Sequence, residues 1–114
     1  MDIEQIKTDM NAAAATAATA YLAYHYGGRD QGACGFAWVT IYPEHDGRTA
    51  KGKAERKAFA QLGAEPHWIK GQYMIWNPAK VGAQNVDCKE RGAWAAVKVL
   101  REAGINASAG SRLD

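Results

Sequence analysis

Apolar residues recur along this chain with two different periods. From Asp2 to Tyr26, the positions Ile3, Ile6, Met10, Ala13, Ala17, Tyr21 and Tyr24 are spaced by threes and fours, which predicts one long helix, and Gly27 and Gly28 end it. Phe36 to Tyr42 is an uncharged run of aromatic and β-branched residues, the composition of a central strand buried on both faces, and Pro43 stops it. Ala58, Phe59 and Leu62 form the core stripe of a short helix that Gly63 terminates. Beyond Pro66, HWIKGQYMIW predicts a hairpin turning on Lys70-Gly71, and Asn77-Pro78 breaks its second strand. Asp87 with Glu90 has the spacing of a capping box, so a helix is expected from Cys88 to Ala103, with Ala93, Ala96, Val97 and Leu100 facing the core. Gly104-Ile105 supplies its stop, and INASAGSRLD alternates as a last strand.

This element order predicts an α+β two-layer sandwich, a three- or four-stranded sheet covered by about three helices, as one domain over residues 1–114. The strand at 36–42 is expected in the middle, with Phe59, Leu62, Val97 and Leu100 against it. In the first helix the run NAAAATAATA lets another backbone come close, either this domain's own sheet or a second copy of the helix in a homodimer.

Charge changes the picture locally rather than globally. Fourteen basic against twelve acidic residues leave a net charge of +2, so partner choice rests on patches. One patch stands out, because Arg48, Lys51, Lys53, Arg56 and Lys57 surround a single acid, Glu55, at the start of a helix, where free N–H groups and the helix dipole favour an anion. From Gly47 the letters GRTAKGK match the glycine and lysine positions of a phosphate-binding P-loop. Ala54 then stands where magnesium needs a hydroxyl, and 114 residues leave little room for the large parallel sheet of a nucleotide hydrolase, so a nucleotide-binding enzyme is the weaker reading. A solvated helix face, with Lys51 and Glu55 paired at i,i+4, explains the same letters.

Trp68, Tyr73 and Trp76 supply rings on which bases stack, which beside a basic helix is how single-stranded nucleic acid is held; ordinary core burial is the competing explanation. Arg29 and Asp30 in the turn GGRDQGACG either extend such a site or fix the turn as a pair. Arg91, Trp94, Lys98 and Arg101 share one flank of the last helix as a possible second phosphate track. No catalytic group, metal or cofactor is expected: the three histidines are scattered, Glu44, His45 and Asp46 are consecutive in a loop, and neither cysteine has a nucleophile's context. The two cysteines fit neither a disulfide scaffold nor a zinc module, and neither a signal peptide nor a membrane-spanning run is visible, which predicts a cytoplasmic protein that does not engage membranes.

The runs GRDQGACGFAWV and QNVDCKE, the Ala-rich helix after the latter, and the terminal SRLD resemble a set of small bacteriophage-encoded proteins with no assigned activity. The resemblance spans most of the chain after Gly27 and implies a phage origin, hence the cytoplasm of a host cell. Two functions of different class follow: a nucleic-acid or phosphate-ligand binder using the basic helix start and the aromatic strand residues, or an inhibitor or adaptor that binds a host protein, its charges and aromatics serving as interface hot spots.

Overall fold

Asp2 accepts a hydrogen bond from Gln5 N and so opens the first helix; the computed structural model, which describes residues 2–114, carries it from Ile3 to Tyr26 as α1. Its buried stripe is Met10, Ala14, Ala18 and Leu22, about one position out of phase with the expected one, and Tyr24 points to solvent. Alanine on every face gives the sequence little phase to read, and the choice is made by the helix it packs on, α3 (Val86–Glu102).

The remaining elements are β1 (Gly35–Ile41), α2 (Ala50–Gln61), β2 (Glu65–Pro66), β3 (Tyr73–Trp76) and β4 (Ala107–Leu113). All strands pair antiparallel in the order β2-β3-β1-β4, the arrangement of a split βαβ unit repeated, here preceded by α1. The sandwich is as expected, and β1 is central. Phe59, Leu62, Val97 and Leu100 are all in the core, with Ala37, Val39 and Ile41 of β1 and Ile75 of β3.

Three expectations fail for identifiable reasons. The hairpin does not turn on Lys70-Gly71 alone: residues 67–72 form the whole connection, closed by His67 N to Gln72 O and Gln72 N to Ile69 O, and Pro66 limits β2 to two residues. Asp87 is not the cap of α3. Asn85, two residues earlier and fully buried, accepts from Cys88 N at 2.7 Å, while Glu90 reaches away to Ser111 of β4. Finally, β1 is not buried on both faces. Its odd positions face the helices, whereas Phe36 and Trp38 on the other face are only half-buried.

Candidate nucleic-acid interface

The pleat sorts β1 by chemistry. Aliphatic Ala37, Val39 and Ile41 point to the core, and Phe36 and Trp38 point the other way with Thr40. Register carries that division across the sheet: Trp76 lies opposite Trp38 and Met74 opposite Thr40, while on the other side Arg112, Gly110 and Ser108 oppose Phe36, Trp38 and Thr40. The outer face of β3, β1 and β4 therefore carries aromatic rings, Met74, small polar groups and one cation, with the Glu65 carboxylate of β2 beside Met74 at its edge.

Its geometry is that of a stacking platform. The Trp38 and Trp76 rings are parallel within 1° at 5.8 Å between centroids, Phe36 adjoins Trp76 at 5.5 Å, and Trp68 from the 67–72 connection meets Trp38 edge-on at 5.2 Å. Gly110 makes this possible, because a Cβ there would stand 2.7 Å from the Trp38 ring; any side chain on β4 at that point would lift the indole. Arg112 places its guanidinium 5.5 Å from the Phe36 centroid. On the other side Lys89 of α3, buried, donates to Gly35 O at 3.0 Å with its ammonium 5.6 Å from the same ring. Trp76 stays 45% and Trp68 64% exposed, so large ring area remains open to solvent.

The sequence-predicted residues divide between this face and elsewhere. Trp68 and Trp76 join it. Tyr73 does not: it sits on the helix side against Phe59 at 5.5 Å, with Arg56 at 6.0 Å from its ring. Arg29 is exposed in the turn after α1 with its Nε on Tyr26 O, and its neighbour Asp30 is spent on the backbone, accepting from Gln84 N and Asn85 N. That turn is a clamp holding the start of α3. Of the flank on α3, Arg101 lies over the Trp94 ring and Arg91 over Tyr21.

The basic turn before α2 is filled by its own acids. Asp46 accepts from Arg48 N at 2.8 Å and pairs with the Arg48 guanidinium at 3.1 Å, a side-chain bond that lowers the Asp46 pKa and raises that of Arg48. The Glu55 carboxylate accepts from Glu44 N and His45 N, and Thr49 caps α2 by accepting from Gly52 N. Gly52, which the P-loop pattern would assign to phosphate approach, instead faces the Asp46 carbonyl, where a Cβ would overlap the oxygen. Arg56 turns inward onto His45 O and Gly52 O. Lys51, Lys53 and Lys57 are exposed and make no ion pair among the described residues. A groove of about 590 Å³ lies between this helix, the start of α1 and the turn from α3 to β4, floored by Ile3, Phe59 and Ile105; none of the platform's rings lines it.

Sequence reasoning missed Phe36, Trp38 and Arg112, although a signal was present: in FAWVTI the rings occupy alternate positions and the aliphatic residues the others. Burial pushes the Cys88 thiol up, with the Asp30 carboxylate adding to it, which leaves it a poor nucleophile. Among the described residues no three His, Cys, Asp or Glu side chains converge as metal ligands, and no helix is long and apolar enough to cross a membrane. No protein-family model, curated protein or solved structure matches the chain, so the resemblance to phage proteins gains no support from them.

Proposed function

We propose that this protein binds single-stranded nucleic acid on the open face of its sheet. The observation that carries the reading is the pair of parallel indoles, half-buried Trp38 and exposed Trp76, on a sheet face whose strand-borne charges are Arg112 on β4 and, at the far edge on β2, Glu65. Unpaired bases present flat rings that stack on such indoles without regard to sequence, each stack contributing roughly 1–3 kcal/mol. Arg112 beside Phe36 meets the phosphate that follows a stacked base, and the exposed Lys51, Lys53 and Lys57 add a diffuse field rather than a specific contact. Duplex DNA hides its ring faces, so a single strand is the preferred form.

Titrating a fluorescently labelled oligothymidylate or oligouridylate with the protein tests this directly. Anisotropy should rise, tryptophan emission should be quenched, and the logarithm of the affinity should fall linearly with the logarithm of salt concentration. Absence of any change at low salt would discard the reading and bring forward the host-protein inhibitor, for which the exposed Trp68 and Ile69 would be anchor residues.

A further inference from the structure

The sheet's two edges are built differently. On one side, β2 is two residues long and contains Pro66, a short edge that another strand cannot extend far. On the other, β4 runs seven residues without proline, lysine or a break in register, from Leu113 opposite Gly35 to Ala107 opposite Ile41.

Which groups of β4 are free follows from its pairing. Asp114 N donates to Cys34 O and Tyr42 N to Asn106 O, so the even-numbered residues bond inward to β1. The N–H and C=O of Ala107, Ala109, Ser111 and Leu113 consequently point out of the sheet. Of these, only Ala107 O has a partner among the described residues, Arg101 Nε at 2.9 Å, and a carbonyl oxygen can accept a second bond.

We propose that β4 pairs antiparallel with β4 of a second copy of this chain, centred on Gly110, to give a two-fold dimer with one eight-stranded sheet. This register sets Ala107 opposite the partner's Leu113 and Ala109 opposite the partner's Ser111, so every outward-pointing residue of both strands gains hydrogen bonds; a register shifted by one residue on either side loses some of them. It is also free of conflict between side chains. Gly110 faces its own equivalent, Arg112 falls opposite Ser108 rather than another cation, and Leu113, 69% exposed in the single chain, is set beside Ala107 of the other copy. A foreign peptide would satisfy the backbone equally, but the small side chains of β4 offer it no pockets to read, whereas they suit a strand as small as themselves. The dimer does not depend on nucleic-acid binding, though it would set two Trp38 platforms on either side of the Gly110 junction.

Sedimentation or light scattering should give about twice the 12.3 kDa chain mass, falling towards that of one chain on dilution. Hydrogen exchange locates the contact without any substitution: the amides of Ala107, Ala109, Ser111 and Leu113 should be protected only at concentrations where the dimer forms, and those of Ser108, Gly110 and Arg112 at all concentrations. Ala109→Pro, which removes an outward N–H that the single chain does not use, should give a folded monomer with an unchanged circular dichroism spectrum. A mass of one chain at every concentration would overturn the proposal. So would a dimer whose outward amides exchange freely, or a folded Ala109→Pro variant that still dimerises.

Discussion

The open sheet face and the basic turn before α2 are the two stretches in which the sequence concentrates chemistry, and they resolve in opposite ways. In the turn, the glycine, the helix start and the arginines have internal partners, and only Lys51, Lys53 and Lys57 are left facing solvent: Asp46 holds Arg48, Arg56 turns onto His45 O and Gly52 O, Glu55 takes two backbone N–H groups, Thr49 caps the helix, and Gly52 admits a carbonyl. On the sheet, the β1 backbone is satisfied by its ladders with β3 and β4, while Trp76 and Trp68 keep about half or more of their surface open to solvent. Groups with an internal partner build the fold, and groups kept in place without one are available to a ligand.

Removing a ring from the platform is the strongest way to break that contrast. Trp38→Ala should weaken oligonucleotide binding roughly 5- to 150-fold, the equivalent of about 1–3 kcal/mol for one lost stack, measured by anisotropy. Gly110→Val approaches the same point from beneath, displacing the Trp38 indole; it should reduce affinity in the same direction with the ring still present. Next in size is the turn's own cap. Thr49→Ala should lower unfolding free energy by about 1 kcal/mol in urea and leave oligonucleotide affinity unchanged. An effect on binding but not on stability would reverse the roles assigned to the two regions.

Arg112→Ala should flatten the salt dependence by roughly 0.7 in log–log slope, one phosphate contact on a single strand, with a smaller loss of affinity than at Trp38. Lys53→Ala and Lys57→Ala should each change affinity slightly and to the same extent; a selective loss of about 1 kcal/mol at Lys53 would mean that the turn cradles a phosphate after all. The smallest effect concerns pH. The hydrogen bond from Arg48 holds the Asp46 carboxyl below its ordinary value, so its contribution to stability is present above about pH 3.9 and is lost as pH falls through the lower folded-state value. The difference in Tm between wild type and Asp46→Asn should shrink over that acid interval.

Which elements exist, their order and the central place of β1 were legible because period, glycine stops and proline breaks act locally. What lay beyond the sequence depended on contacts between distant residues. Asn85 and Asp87 are both good caps two positions apart; Asn85 wins because Asp30 and Gln31 fasten it from the other side of the domain, and Glu90, freed from capping, finds Ser111. The aromatic strand looked doubly buried because hydrophobicity alone does not say whether a second layer exists. Of the rings singled out in the sequence, Trp68 and Trp76 lie on the open face; Tyr73 lies on the other, because the one-residue parity of β3 is fixed by its pairing with β1.

The position of β1 has a consequence for synthesis. It is the first strand to be made, yet both strands that flank it come later, β3 at 73–76 and β4 not until 107–113. At about 5–20 residues per second, some seconds pass in which a strand of Phe, Trp, Val and Ile has left the ribosome with neither neighbour formed. One edge of β1 can pair once β3 has emerged, but the other stays an unpaired strand edge until β4 arrives.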